Sequence, residues 1–165
     1  MNKVALITGG ATRLGRAITL HLASQGYNLC IHCNSSTAEA EVCQGLARDL
    51  GVEAIIQVAN LTQDDAVAKI IPAVNDKLGE ISLLVNNASV FNPQDFAATD
   101  RQQFTDDMAI NLKAPFFLTQ DFAAQVSKRT PEKTPEQTST QSTTDPLVVN
   151  ITDGTHSKLT SKHFL

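Results

Sequence analysis

Apolar residues along this chain fall into two alternating patterns: short unbroken runs, and longer stripes with one apolar position every three or four. Val4-Ala5-Leu6-Ile7 is a continuous apolar run ending at glycines, the mark of a strand buried on both faces. Leu14 to Ser24 follows, with Leu14, Ala17, Ile18 and Leu22 on one helical face, and Gly26 ends it. Asn28 to Cys33 reads as a second strand, Ala38 to Leu50 as a helix stopped by Gly51, and Glu53 to Val58 as a third strand. Thr62 opens another helix, with Asp64 and Asp65 in its first turn, where the helix dipole favours acidic groups. Its stripe of Val67, Ile70, Ile71, Val74 and Leu78 is interrupted by Pro72, which should kink or split it. Ile81 to Val85 is a fourth strand followed by an Asn86–Ser89 loop. Phe104 to Val126 is one long helix or two broken at Pro115, and Leu147 to Ile151 is a fifth strand.

Strands alternating with helices at this spacing give βαβ units, and hence an α/β fold: a Rossmann-type, doubly wound parallel sheet. One stretch departs from the alternation. Ser127 to Pro146, SKRTPEKTPEQTSTQSTTDP, has no apolar side chain except proline and nothing to bury. It reads as a flexible polar insertion, residues 127–146, within a single domain spanning 1–165.

Composition adds limits. A chain of 165 residues suits one domain, and 42% hydrophobic with 18% charged residues is the balance of a globular protein. A formal net charge of -4 gives no reason to expect nucleic acid or an anionic membrane as partner. The apolar run in MNKVALITGG is too short for a signal peptide or membrane span, which places the protein in the cytoplasm by default. Of three cysteines, Cys30 and Cys33 have the C-x2-C spacing of a zinc half-site, but no second Cys/His pair sits nearby. The expectation is a buried strand with reduced thiols and no metal.

The chemistry concentrates where strands end. Thr8-Gly9-Gly10-Ala11-Thr12-Arg13-Leu14-Gly15 lies between the first strand and its helix, the setting of a phosphate-cradling turn. After the second strand, Asn34-Ser35-Ser36-Thr37 supplies hydroxyls and an amide but no carboxylate, so a ribose 2′-phosphate would not be repelled. NADPH is therefore favoured over NADH, although these residues offer no cation to pair with that phosphate.

TGGATRLG resembles the TGxxxGxG loop of short-chain dehydrogenases/reductases, with Gly9, Leu14 and Gly15 in register. Asn86-Asn87-Ala88 is similar to that family's NNAG motif, Asn111 in INLKAPFFL to its helix asparagine, and VVNITD to the strand carrying its catalytic serine. The details resemble pteridine reductases, which carry TGxxxRLG with arginine in place of the middle glycine, as at Arg13. They also read NNAS followed by an aromatic residue, as in Ser89 and Phe91, and have aspartate instead of the serine, as at Asp153. The stretch LCIHCNSST is similar too.

This resemblance implies hydride transfer from NADPH to a C=N bond of an oxidised pterin or folate. Gly9, Arg13, Leu14, Gly15, Asn34, Ser35, Ser36, Asn60, Leu61, Asn87, Ala88 and Ser89 would bind the cofactor, and Arg13, Ser89, Phe91 and Asp153 the substrate. Asp153, protonated, and Asn111 would serve catalysis. Taken singly, several keep another reading: Phe91 as core packing, Asn60 as a polar turn residue beside Thr62, Asn111 as a structural helix asparagine, and Asp153 as a turn aspartate before Gly154.

The family's catalytic tyrosine, with a lysine one helical turn later, has no counterpart. Tyr27 is the sole tyrosine, and Lys158 and Lys162 have no tyrosine partner. The chain reads as a reductase truncated after the fifth strand, with little or no activity as given, an uncovered apolar patch, and a homo-oligomeric complete form. Two other readings stand beside it: a reductase of ketones or ketoacyl thioesters, and a non-catalytic dinucleotide-binding module.

Overall fold

The five apolar runs form five strands, β1 (Val4–Ile7), β2 (Asn28–Cys33), β3 (Ala54–Val58), β4 (Leu83–Asn86) and β5 (Leu147–Asn150). They belong to a computed structural model that describes residues 3–91, 96–129 and 145–152. All neighbouring strands are parallel, in the order β3-β2-β1-β4-β5. The chain thus starts at the centre, steps outward to β3, and crosses back to continue on the other side of β1. The switch point lies between β1 and β4, where open α/β sheets part their loops and bind ligands.

Burial on both faces explains why β1 reads as an unbroken apolar run. Ala5, Ile7, Leu29, Ile31 and Cys33 pack against Ala23 of α1 (Arg13–Ser24) and Ala40, Cys43 and Ala47 of α2 (Thr37–Asp49). Val4, Leu6, Cys30 and Leu84 face the other way, toward Ile70, Val74 and Leu78 of α4 (Ile70–Leu78) and Leu118 and Phe122 of α6 (Ala114–Arg129). Cys30 and Cys33 therefore lie on opposite sides of the sheet, a placement that prevents them from sharing a metal ion; all three cysteines are free.

Beyond one-residue shifts, several helix boundaries differ from the sequence reading. The helix expected from Thr62 begins at Asp64, as α3 (Asp64–Val67), because Asn60 Oδ1 accepts bonds from both the N–H and the hydroxyl of Thr62 at 3.0 Å and holds it in a turn. The split falls at Ala68–Lys69 rather than at Pro72, which sits in the first turn of α4, where its missing N–H costs nothing. The second long helix starts earlier than Phe104, as α5 (Arg101–Met108), and passes through a π-helical turn at Ala109–Lys113 into α6. Pro115 stands just beyond that turn, where the regular ladder is already out of step.

The first residues of the stretch read as a polar insertion are helical. Ser127, Lys128 and Arg129 continue α6, and residues 130–144 lie outside the described residues. Leu147 and Ile151, at β5, are 55% and 39% exposed, so apolar surface is open at that edge of the sheet. Among the described residues no helix is long and apolar enough to cross a membrane.

Candidate functional site

Parallel strands put all their C-terminal ends on one edge of the sheet. The segments that follow them lie there in sheet order: Asn60–Leu61 after β3, Asn34–Ser36 after β2, Gly9–Gly15 after β1, and Asn87–Phe91 after β4. Residues far apart in sequence are thus gathered along one line. Asp153, three positions past the end of β5, is outside the described residues.

The β1–α1 and β4 segments are stitched together at the switch point. Thr8 Oγ1 accepts the N–H groups of Asn87 (2.9 Å) and Ala88 (3.0 Å). In return, Asn87 Nδ2 donates to the carbonyls of Thr8 (2.9 Å) and Gly9 (3.1 Å). The approach is close enough to exclude side chains. A Cβ on Gly15 would stand 2.0 Å from the Gly9 carbonyl oxygen and 2.7 Å from Asn87 Nδ2. Gly9 itself has φ 61°, in the left-handed region that glycine occupies without penalty.

Arg13 also has a positive φ, 49°, and it is not a glycine. That conformation costs an ordinary residue about 1–2 kcal/mol. It explains physically why a glycine is the expected occupant of this position, and it leaves the exposed guanidinium at the first turn of α1. Leu14 beside it is 55% exposed, so the first turn does not present its apolar side chain to the core. The N–H groups of that turn have no partner within the helix, which leaves donors and partial positive charge pointing past the loop.

The other side of the loop is held by residues the sequence reading did not single out. Thr19 Oγ1 donates to the carbonyls of Gly10 (3.0 Å) and Gly15 (2.9 Å), spanning the turn from within α1. His32, 2% exposed, accepts the Gly9 N–H at Nδ1 (3.2 Å), faces the Ala59 carbonyl with Nε2 (3.0 Å), and accepts the Gly10 N–H at its own carbonyl (3.0 Å). Burial pushes its pKa below the usual 6.5, with the Ala59 bond opposing the shift. The available signal was a polar ring at the end of an otherwise apolar strand, immediately before the loop of a neighbouring strand.

Asn111 lies in the π-helical turn and grips Val90 at both ends of one residue. Its Oδ1 accepts the Val90 N–H and its Nδ2 donates to the Val90 carbonyl, each at 2.9 Å. It thereby holds the segment carrying Ser89 and Phe91, both exposed; Phe91 is 54% exposed and so is not core filling. Asn86 Nδ2 bonds Asn150 Oδ1 (2.9 Å) and Thr119 Oγ1 (3.3 Å), tying β4 to β5 and α6. Asn60 spends its Oδ1 on Thr62, and Leu61 beside it is buried. Asn34 and Ser35 are exposed, and Ser36 is the N-cap residue of α2. That helix carries Glu39 in its first turn, a carboxylate the sequence reading of this segment did not consider.

A glycine turn, a helix start and a stitched asparagine loop at the switch point of a parallel sheet make an arrangement that could hold a dinucleotide. The profile of the short chain dehydrogenase family matches residues 3–132. The chain belongs to that family. Among curated relatives, the chain is 33% identical over 129 residues to a 3-oxoacyl-[acyl-carrier-protein] reductase FabG of Staphylococcus epidermidis, covering 78% of this chain and 53% of the relative. Among solved structures it is similar to FolM alternative dihydrofolate reductase 1 from Brucella canis, complexed with NADP, at 37% identity and a TM-score of 0.80. That match covers 96% of this chain and 59% of the other. Acetoin dehydrogenase YohF from Salmonella typhimurium matches at 26% identity and a TM-score of 0.74, over 78% of this chain and 51% of the other. The chain thus spans about half the length of the relatives it matches.

Proposed function

We propose that the complete protein is an NADPH-dependent reductase of a pterin or folate, acting on a C=N bond of the oxidised ring. The observation that carries this reading is Arg13, an arginine held in a backbone conformation suited to glycine, with its guanidinium exposed at the helix start beside the loop. A permanent cation with five donors can bond a phosphate oxygen and a ring heteroatom at once, a use that offsets the strain. Phe91, exposed in the segment held by Asn111, would stack on a flat heterocycle; such stacking is worth ~0.5–1.5 kcal/mol beyond area burial.

The residues present fit a dinucleotide. Gly9 and Gly15 keep the loop free of side chains, and the first turn of α1 offers N–H donors to a pyrophosphate. Asn34, Ser35 and Ser36 would surround the 2′-phosphate. Asn60 keeps Nδ2 to donate, which suits an acceptor such as an adenine ring nitrogen. Asn87, Ala88 and Ser89 would line the nicotinamide end. Bound NADPH supplies the hydride; Asp153, protonated, would pass a proton toward the ring nitrogen, and Asn111 would fix the segment bearing Ser89 and Phe91. The FolM structures, complexed with NADP, support this reading by likeness.

A second reading, reduction of a 3-oxoacyl thioester, is favoured by the names of the curated relatives. NADPH oxidation by the full-length protein decides between them, with dihydrobiopterin and dihydrofolate in one arm and an acetoacetyl thioester in the other. Turnover of either dihydro compound well above the thioester is expected. Preferential thioester turnover would overturn the pterin reading. We place the protein in the cytoplasm and expect the complete form to be a homo-oligomer.

A further inference from the structure

His32 takes no part in the proposed reaction, yet it is bonded at every polar atom that can hold the loop. It lies two residues beyond Cys30 and so on the same face of β2, buried to 2% exposure. A buried imidazole needs partners at both nitrogens. The Gly9 backbone N–H can only donate, so Nδ1 at 3.2 Å is the bare acceptor. The Ala59 carbonyl can only accept, so Nε2 at 3.0 Å carries the proton. Both bonds coexist only in the neutral ring, and only in that tautomer. With the Gly10 N–H on its own carbonyl, one residue grips two successive loop amides and the carbonyl that precedes Asn60.

We propose that His32 is a positioning residue for dinucleotide binding: its neutral Nε2–H ring clamps the β1–α1 loop to the β3 loop, and protonation of the ring releases the loop and weakens cofactor affinity. The inference rests on the dinucleotide-binding reading above. Gly9 is the link through which it acts. Its N–H is held by His32 and its carbonyl by Asn87, hard against Gly15, so a second proton on the ring would push at the hinge of the whole turn. Among the charged side chains on the surrounding elements, Arg13 and Arg16 on α1, Glu39 on α2, Asp64 and Asp65 on α3, and Asp76 and Lys77 on α4 are exposed and Asp121 on α6 is half-buried; the buried titratable groups beside His32 on β2 are the thiols of Cys30 and Cys33. Burial is thus the first cause of the lowered His32 pKa. The sign follows: the grip is complete above the ordinary 6.5 and is lost as pH falls through the lower native value.

The test uses the full-length protein and its His32→Asn and His32→Leu variants, titrated with NADP+ from neutral pH down to the onset of acid unfolding. Asparagine Oδ1 can stand near the place of Nδ1 and accept the Gly9 N–H without titrating; leucine cannot. At neutral pH the leucine variant should bind about tenfold more weakly or worse, while asparagine stays within about threefold of the parent. On acidification the parent should lose affinity more steeply than His32→Asn, the slope common to both belonging to the cofactor's 2′-phosphate. Ring nitrogen NMR of the parent should show Nε2 protonated and Nδ1 bare.

Equal affinity in the leucine and asparagine variants, parallel pH profiles for parent and asparagine, or a proton on Nδ1 would each overturn the role. If the leucine variant melts below the assay temperature, the pH comparison of parent with asparagine decides alone. A parent that binds no NADP+ at any pH removes the dinucleotide reading, and this role with it. Binding that is indifferent to residue 32 removes this role only.

Discussion

Replacing Gly15 with alanine should do the opposite of what helix propensity predicts. Gly15 is in the first turn of α1, and a glycine-to-alanine change in a helix ordinarily gains up to about 1 kcal/mol. Here the new methyl would stand 2.0 Å from the Gly9 carbonyl oxygen, against an ordinary carbon–oxygen contact of about 3.3 Å. Loop and helix must part by roughly 1 Å, at an overpacking cost of about 1–3 kcal/mol. The movement also breaks the two bonds from Asn87 Nδ2, to the Thr8 and Gly9 carbonyls, each worth about 0.5–1.5 kcal/mol. A net loss of about 1–5 kcal/mol follows, a substantial part of the ~5–15 kcal/mol that holds a domain together. Urea denaturation with an unchanged m-value measures it. Gly45→Ala is the control: Gly45 lies inside α2 and an added Cβ meets nothing within 4 Å, so that variant should gain about 0.5–1 kcal/mol. If Gly15→Ala proves as stable as the parent, the close approach of the loop to α1 is wrong, and the argument for a side-chain-free cradle goes with it.

Other outcomes follow from the same geometry. Arg13→Gly removes a left-handed non-glycine residue and should raise the melting temperature of the cofactor-free protein, by about 1–2 kcal/mol of stability, while losing pterin turnover. Unchanged pterin use would leave the arginine without its proposed purpose. Burial pushes the Cys30 thiol up to about 12, with the Lys77 charge opposing it, so the neutral thiol is the form the fold favours. Its contribution is intact below the ordinary 9.0 and drains away as pH rises toward about 12. Native protein should therefore resist alkylation at Cys30 at neutral pH, and Cys30→Ala should flatten the alkaline limb of a melting-temperature profile. A limb of undiminished steepness in that variant would refute the assignment.

What the sequence made legible, and what it hid, divides along physical lines. The strand of Val4–Ile7 was read without error because a centre strand buried on both faces must be apolar at every position. The helix after β3 was misplaced because Asn60 and Thr62 satisfy each other's polar groups, and a side-chain bond of that kind competes with the helix without altering the apolar stripe. The strain at Arg13 was invisible because a sequence carries no φ; only the absence of the usual glycine hinted at it. His32 was hidden for a different reason. Its partners, Gly9 and Ala59, belong to two other strands' loops, and nothing local in LCIHC separates a core histidine from one that holds a neighbour's backbone.

The same division bears on the substrate. Thr8, Gly9, Gly15, Thr19, Asn87 and the grip of Asn111 on Val90 build the loop architecture on which a dinucleotide would sit, and nothing in that architecture selects a pterin over a ketoacyl substrate. Likeness over these residues therefore speaks to the fold and the cofactor end, and leaves room for relatives that act on different substrates. The weight of discrimination falls on side chains that the shared architecture does not require. Arg13 is one, since the backbone there would be easier with glycine. Phe91 is another, since an aromatic left 54% exposed contributes little to the core it adjoins. Phe91→Ala alone should leave NADP+ affinity within a few-fold of the parent, about 1 kcal/mol. If the pterin reading is right, that variant should lose pterin turnover and keep its NADP+ affinity; a matching loss of thioester turnover would show instead that the ring serves the cofactor.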